Sequence, residues 1–187
     1  GDSQADIVNA EDDEASAITA YFDRAEGHKA LVNFITNFLG KDNTVMARIL
    51  YVDQSATSAA ITISILKKNG FSFSHFKDGP SAIEELRGDF DSNQSCSYDV
   101  LITGLTLDQK MSGFELIQTI RKELNYDYLT LPILLMTVEP QDDEKTDFTG
   151  IFGAGTNDFI TKPISEDVLI ERLTNLINIK RQNDALQ

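Results

Sequence analysis

Asp99-Val-Leu-Ile-Thr-Gly104 is an apolar run that opens at an aspartate and ends at a glycine, and it decides the fold. Similar apolar runs end at or just before Asp53, Thr137 and Lys162. Strands that are apolar throughout are buried on both faces and are typical of parallel sheets. Because ligands bind beyond the carboxyl ends of the strands in open parallel sheets, the residues that end these runs are predicted to form a site.

The runs are separated by segments with apolar residues at helical spacing, which predict amphipathic helices. The predicted strands are Arg48–Val52, Phe71–Phe76, Asp99–Thr103, Leu131–Met136 and Asp158–Ile160. We expect the first helix to end at Asn69-Gly70 and Ser81 to cap the second, with a polar loop at residues 88–98. This alternation predicts an α/β, doubly wound, flavodoxin-like fold with a five-stranded parallel sheet in the order 2-1-3-4-5.

The chain is predicted to have three parts. Residues 1–45 contain an acidic leader followed by a short strand and a helix, and we expect this strand–helix extension to pack on the rest or to belong to a preceding domain. Residues 46–181 hold the alternating strands and helices. Residues 182–187 continue the last helix as a polar tail or linker.

Composition narrows the function classes. The net charge of −14 would repel polyanionic nucleic acid, so DNA and RNA binding are not expected. No apolar run approaches the roughly 18 residues of a membrane-spanning helix, and the acidic N-terminus does not have the form of a signal peptide. The single Cys96 lies in a polar stretch and is expected to be a loop thiol in a reducing compartment. These features predict a cytoplasmic protein.

Four motifs in a fixed order resemble the response-regulator receiver domain of two-component signalling, of the CheY type. They are Ile49–Asp53 (ILYVD), Met111–Leu116 (MSGFEL), Pro132–Thr137 (PILLMT) and Gly155–Pro163 (GTNDFITKP). The resemblance covers about residues 46–180. It implies a phosphorylation pocket at the carboxyl edge of the sheet, formed here by Asp53, Gln54, Gly104, Thr137 and Lys162.

The pocket departs from the family pattern at two positions. The third strand of a receiver ends in the aspartate that accepts the phosphoryl group, and Gly104 stands there without a side chain. Two acidic residues after the first strand hold magnesium in the family, whereas this chain has Asp53 followed by Gln54. We therefore predict no functional metal site and no cofactor. Asp53 is expected to pair with Lys162 or to cap the following helix.

Three further residues match family positions. Thr137 corresponds to the hydroxyl residue that turns toward the phosphoryl group, and Lys162 to the lysine that neutralises it. Without phosphate, Thr137 is expected to satisfy a strand-end carbonyl. The Lys162-Pro163 step resembles a family feature that is often cis. Phe159 occupies the position of the aromatic switch residue, and an ordinary groove aromatic is an equally good interpretation.

The loop after Gly104 is one residue longer than usual, and Asp108 is an alternative phosphoryl acceptor. It lies four residues beyond the strand end, so its carboxylate is expected to point away from the pocket. Phosphoryl transfer depends chiefly on the placement of the acceptor, so Asp108 is not expected to replace the missing aspartate. His28 and His75 have no evident partner in the sequence and are interpreted as ordinary surface residues.

The leading hypothesis is a degenerate receiver without enzymatic activity that acts as a phosphorylation-independent interaction module in a phosphorelay. The face formed by the fourth helix, fifth strand and fifth helix, with Phe152, Phe159 and Ile164, would contact a partner or a second copy. A histidine kinase or an output domain is the expected partner, and the strand–helix extension suggests a tandem receiver that precedes a diguanylate cyclase. The alternatives are a receiver phosphorylated with magnesium at an unusual aspartate, and a flavodoxin-like small-molecule binder, for which a glycine-rich phosphate loop is lacking.

Overall fold

Five parallel strands form one sheet in the order β2-β1-β3-β4-β5, which confirms the predicted fold and strand order. The computed structural model describes residues 46–107, 110–138 and 148–186, so the predicted leader, the strand–helix extension, His28 and Asp108 lie outside the described residues. The strands are β1 Arg48–Val52, β2 Ser72–Phe76, β3 Val100–Gly104, β4 Ile133–Val138 and β5 Asp158–Lys162. The helices are α1 Ala56–Lys68, α2 Gly79–Asn93, α3 Gly113–Lys122, α4 Phe148–Gly153 and α5 Glu166–Asp184.

The sheet is covered on both faces by two separate apolar clusters, as expected for a doubly wound fold. Successive residues of a strand point to opposite faces. Leu50 and Val52 of β1 therefore pack with α2 and α3, whereas Ile49 and Tyr51 pack with α1 and α5. Burial on both faces explains why the central strands are apolar at consecutive positions rather than at alternate ones.

The ends of the first two helices follow from local hydrogen bonds. As predicted, α1 ends at Asn69, and Gly70 follows with a φ of +76°, a conformation that glycine adopts without strain. The predicted cap of α2 was wrong. Asp78 is the N-cap, and its carboxylate accepts a 2.8 Å hydrogen bond from the backbone N–H of Ser81. The N-cap side chain accepts a hydrogen bond from the free backbone N–H two or three residues later, and Asp78 stands three residues before Ser81.

The polar loop predicted at residues 88–98 was also placed wrongly, because α2 continues to Asn93. Asp89 is buried and accepts hydrogen bonds from the backbone N–H of Ser97 at 2.8 Å and the side chain of Asn93 at 2.9 Å. These bonds hold the last turn of the helix against the segment that leads into β3. The helix then ends at Gln94, which adopts a left-handed φ of 56°.

Cys96 lies in the loop between α2 and β3, as the polar sequence predicted, but its thiol is buried. Only 8% of its surface is exposed, and it packs in the apolar cluster beneath α2 and α3 with Tyr98 and Tyr126. Burial raises the pKa of the thiol to about 11. None of the helices within the described residues has the length and apolar character that crossing a bilayer requires.

Candidate functional site

The predicted site residues meet at one edge of the sheet because the strands are parallel. Asp53 directly follows β1, and Gly104 ends β3. Thr137 is the second-last residue of β4, and Lys162 ends β5. The registers bring these ends level, since Val52 pairs with Thr103, Gly104 with Met136, and Val138 with Lys162. The structure therefore brings these four residues to one edge of the sheet.

Asp53 and Lys162 form an ion pair across this edge, which confirms the first of the two roles expected for Asp53. The Nζ atom of Lys162 lies 2.8 Å from Oδ2 of Asp53. The Asp53 side chain is 1% exposed and that of Lys162 is 24% exposed. A buried carboxylate needs a partner of opposite charge, and this lysine supplies it.

The carboxylate of Asp53 has two further donors. Its Oδ1 accepts from the backbone N–H of Ser55 at 2.9 Å, and its Oδ2 also accepts from the hydroxyl of Tyr51 at 3.2 Å. Burial alone would raise the pKa of Asp53. The hydrogen bonds from Lys162 and Ser55 lower it by more, so the net pKa lies below its usual value. Asp53 is therefore a carboxylate at neutral pH.

Sequence analysis missed Tyr51 and misread His75. The Tyr51 ring is fully buried and stacks on the His75 ring with 5.0 Å between centroids. Nε2 of His75 lies 3.1 Å from the backbone oxygen of Asp53, so His75 is part of the site and not an ordinary surface residue. Burial raises the pKa of Tyr51, which keeps its hydroxyl a neutral donor. The available signal was the spacing, because a residue two positions before Asp53 shares its side of the strand.

Gly104 is buried at the end of β3 and faces Asp53. A Cβ atom built on Gly104 would lie 3.6 Å from Cγ and Oδ1 of Asp53 and 3.4 Å from the backbone oxygen of Thr106. These are ordinary van der Waals distances, so the backbone has room for a small side chain at this position. Steric crowding therefore does not require a glycine at this position.

The other two pocket positions differ in their surroundings. Thr137 is buried, and its hydroxyl donates to the backbone oxygen of Val138 at 3.3 Å, so it satisfies a strand-end carbonyl as expected. Gln54 is exposed. The Lys162-Pro163 peptide bond is cis, as in the family feature that this step resembles.

The residues present do not fit a magnesium ion. Magnesium favours several carboxylate and water oxygens, and among the described residues the pocket offers the single carboxylate of Asp53. That carboxylate already accepts three hydrogen bonds, and the charges of Asp53 and Lys162 sum to zero. Across residues 46–107, 110–138 and 148–186, no group of three or more His, Cys, Asp or Glu side chains is placed to hold a metal ion.

The predicted interaction residues separate into two sets. Phe159 of β5 packs edge-on against Phe152 of α4, with 5.9 Å between ring centroids. Phe159 also lies against the cluster beneath α2 and α3, whereas Ile164 packs against the cluster beneath α1 and α5. Phe152 and Phe159 therefore form one aromatic pair near the sheet edge, and Ile164 contacts the opposite face of the sheet.

Clefts large enough for a small molecule lie away from these strand ends. One of about 760 Å³ runs along α2 and is lined by Arg48, Glu85 and Asp89, and one of about 680 Å³ is lined by Phe90, Cys96 and Lys180. Neither is lined by Asp53, Gly104 or Lys162.

Comparison with known proteins identifies a family and relatives that this chain resembles. The family model described as the response regulator receiver domain matches residues 49–174. The regulatory protein VanRc of Enterococcus gallinarum is 29% identical over 139 residues, which are 74% of this chain and 53% of VanRc. The chemotaxis protein CheY1 of Helicobacter pylori is 28% identical over 127 residues, which are 67% of this chain and 93% of CheY1.

Other relatives are much longer than this chain. The hybrid signal transduction histidine kinase D of Dictyostelium discoideum is 26% identical over 74% of this chain, which spans only 8% of that kinase.

Among solved structures, the chemotaxis response regulator CheY4 of Vibrio cholerae has a TM-score of 0.56 at 24% identity, over 71% of this chain and 99% of that one. A solved response regulator with a GGDEF domain has a TM-score of 0.62 at 19% identity, over 73% of this chain and 51% of that one. These two structures show the fold.

Proposed function

This chain belongs to the response regulator receiver domain family, and we propose that it works in two-component signal transduction as a receiver whose state is not set by phosphorylation. The observation that carries the proposal is Gly104 at the end of β3, because a glycine has no side-chain carboxylate to accept a phosphoryl group. The ion pair between Asp53 and Lys162 supports it, since the lysine that would neutralise a phosphoryl group is already neutralised.

The proposal includes the absence of enzymatic activity and of a metal or other cofactor. Self-phosphorylation needs a placed acceptor and a divalent cation to balance phosphoryl charge. Asp53 is the one carboxylate of the pocket among the described residues, and it already accepts hydrogen bonds from Lys162 and Ser55. A cytoplasmic location is also part of the proposal, and the single buried Cys96 suits a reducing compartment.

The proposed activity is protein binding through the aromatic pair of Phe152 and Phe159. Phe152 is 44% exposed although it is a large apolar side chain, and exposed aromatic residues are enriched where proteins bind. The proposed partner is a histidine kinase or an output domain of the same signalling protein, with a diguanylate cyclase as one candidate. A second copy of the chain is the alternative occupant of this face.

The first test is the intact mass of the protein after incubation with acetyl phosphate and magnesium. We expect no adduct on the wild-type chain. The matched control is the Gly104→Asp, Gln54→Asp variant, which restores both missing carboxylates and should gain the mass of one phosphoryl group at position 104. An adduct on wild-type Asp53, Asp99 or Asp108, mapped after digestion, would contradict the proposal and restore a phosphorylation switch.

The second test addresses the interaction face. Sedimentation velocity of the wild-type chain, alone and with a candidate kinase or output domain, should reveal a complex that Phe152→Ala weakens. Phe90→Ala is the matched control, because Phe90 is 45% exposed but lies on α2. Equal weakening by both variants would argue against this face.

A further inference from the structure

Two hydroxyl groups on the buried side of α1 have no hydrogen-bond partner among the described residues. They are Oγ of Ser58 and Oγ1 of Thr62, and these two residues are 8% and 0% exposed. Buried polar groups are nearly always bonded to protein or to ordered water, and burial of an unbonded hydroxyl costs free energy. Two such groups one helical turn apart therefore indicate a partner that they share.

A hydroxyl inside a helix is ordinarily satisfied by its own helix, and these two are not. Thr174 of α5 shows the ordinary arrangement, since its hydroxyl donates to the backbone oxygen of Ile170 at 2.8 Å. Neither Ser58 nor Thr62 makes this bond to the residue four positions earlier. Their hydroxyls are therefore left for a group that lies between α1 and the sheet.

The hydroxyl of Tyr51 lies on the side of β1 that faces α1. Tyr51 is fully buried in the same apolar cluster as α1, and its hydroxyl donates to Oδ2 of Asp53 at 3.2 Å. Burial raises the pKa of Tyr51 and the hydroxyls of Thr62 and Ser58 lower it, which places both hydroxyls near the Tyr51 oxygen. Because its proton points at Asp53, the Tyr51 oxygen still has a lone pair that can accept a hydrogen bond.

These three oxygens match the needs of one water molecule. Residues four apart on a helix have Cβ atoms about 5–6 Å apart, so one water can lie about 2.8 Å from both hydroxyl oxygens of α1. It would accept from Ser58 and Thr62 and donate to Tyr51, and about three hydrogen bonds are typical of a buried water. A metal ion fits poorly, because the adjoining carboxylate of Asp53 already pairs with Lys162.

We propose that one ordered water molecule is a structural ligand of this protein, bound between α1 and β1 by Ser58, Thr62 and Tyr51. Apolar packing is not directional, whereas the hydrogen bonds of this water fix the position of α1 on β1. The water also occupies the acceptor side of the Tyr51 hydroxyl, so the proton of that hydroxyl stays directed at Asp53. This water site is independent of the proposed function, because neither Gly104 nor the aromatic pair takes part in it.

Urea denaturation of the full chain and its Thr62→Val variant tests the water site. Valine has the shape of threonine without the hydroxyl, so removal of an unbonded buried group would raise the equilibrium constant for folding. Removal of a hydroxyl that binds water should instead lower that constant about fivefold. Ser58→Ala should act in the same direction. The double variant should lose less than the two single losses combined, because both hydroxyls bind the same water.

Thr174→Val is the matched control, because its hydroxyl bonds to a backbone oxygen of its own helix. Its effect should add fully to that of Thr62→Val. A crystal structure of the wild-type chain then distinguishes a water from a direct bond. We expect a water oxygen about 2.8 Å from the side-chain oxygens of Ser58, Thr62 and Tyr51.

Three outcomes would overturn the water site. They are a higher stability of Thr62→Val than of the wild type, full additivity of Ser58→Ala with Thr62→Val, and a crystal structure in which the hydroxyls bond directly to Tyr51 or Asp53. If a variant does not fold, the wild-type crystal structure still decides. None of these measurements uses phosphate, so a failure here is distinguishable from a phosphoryl adduct, which would overturn the proposed function instead.

Discussion

Gly113, the first residue of α3, lies directly against the backbone of Gly104. A Cβ atom on Gly113 would be 2.1 Å from the backbone oxygen of Gly104 and 3.0 Å from that of Leu105. The N–H of Gly113 also donates to the Leu105 oxygen at 2.8 Å. The loop that follows β3 therefore returns to the strand end it left, and only a residue without a side chain allows this approach.

This contact predicts that Gly113→Ala is severely destabilising. The methyl group would overlap backbone atoms, which cannot rotate away as a side chain can, and we expect a loss of about 3 kcal/mol in the free energy of unfolding. Urea denaturation provides the measurement. Gly88→Ala is the matched control, because nothing lies within 4 Å of its added Cβ, and alanine in a helix should stabilise by about 0.5–1 kcal/mol. A wild-type stability for Gly113→Ala would show that the loop can move aside.

Removal of the Lys162 ammonium should destabilise the protein in a pH-dependent way. Lys162→Met leaves the Asp53 carboxylate buried without its cation, and we expect a loss of about 3 kcal/mol at pH 7. In the wild type, the pKa of Asp53 is lowered by folding, so its contribution to stability is present above the unfolded pKa and disappears as the pH falls through the folded pKa.

In Lys162→Met the sign reverses, since burial then raises the pKa of Asp53 above its unfolded value. The variant should therefore recover part of its lost stability as the pH falls from 7 and Asp53 takes up a proton. Urea denaturation at several pH values between 7 and the acid limit of folding measures this. Lys68→Met is the control, because its partner Glu166 is at the surface and its loss should leave the stability nearly unchanged at every pH. A parallel pH dependence for Lys162→Met and wild type would rule out this account.

The sheet was predictable because its apolar runs are patterns within single segments. The pairing of Asp53 with Lys162 was one of two roles expected for Asp53, because both residues follow or end strands that a parallel sheet aligns. Apolar runs specify parallel strands, and parallel strands align their ends. The burial of Cys96 and the full length of α2 were not predictable, because they depend on contacts between different segments of the chain. Cys96 has polar neighbours in sequence but lies beneath Tyr126, thirty residues later, and α2 extends because Asp89 is bonded by Ser97 beyond the helix end.

The partners of the site were harder to predict for the same reason. Nothing in the sequence around His75 indicates a role in the site, and it joins the site because β2 pairs with β1 and sets its ring on Tyr51. The same holds for Leu107, which is fully buried although it stands in a mostly polar loop. A single sequence does not show which residues the sheet places side by side.

Arg121 is predicted to be a major stabilising residue, although it lies outside the site. Its guanidinium donates at 2.8–2.9 Å to the backbone oxygens of Tyr126, Asp127, Leu131 and Gly155, and at 3.0 Å to Oδ1 of Asn157. Burial lowers the pKa of Arg121 to about 10, so it remains charged at neutral pH. One side chain thereby joins the loop before β4 to the loop before β5.

Arg121→Lys should lose most of these bonds, because an ammonium cannot reach five acceptors arranged around a planar fork. We expect a loss of about 2–4 kcal/mol in the free energy of unfolding, measured by urea denaturation. Arg87→Lys is the matched control, since Arg87 is exposed on α2 and the same substitution there should be nearly neutral. Equal stability of the two variants would mean that the backbone oxygens find other partners.

Restoring the missing carboxylates should create a divalent cation site. Gly104→Asp places a carboxylate beside Asp53, and Gln54→Asp supplies the second acid after β1, so the pocket changes from neutral to negative. Isothermal titration with magnesium should detect binding to the double variant and none to the wild type. The Gly104→Asn, Gln54→Asn variant has the same side-chain volumes without the charge and should not bind. Magnesium binding by the wild type would refute the prediction that Asp53 and Lys162 exclude the ion.

The thiol of Cys96 should be unreactive in the folded protein. Burial raises the pKa of this thiol to about 11, so at pH 8 it has on the order of 100-fold less thiolate than an exposed thiol, and the thiolate is the nucleophile. A disulfide reagent such as DTNB should therefore react much more slowly with the native chain than with the urea-unfolded one. The control is Ser95→Cys in a Cys96→Ala background, because residue 95 is exposed and its thiol should react at the rate of the unfolded chain. Fast modification of native Cys96 would show that the segment between α2 and β3 opens readily. Because opening would then cost little free energy, the packing of Tyr126 over this thiol would contribute little to the stability of the fold.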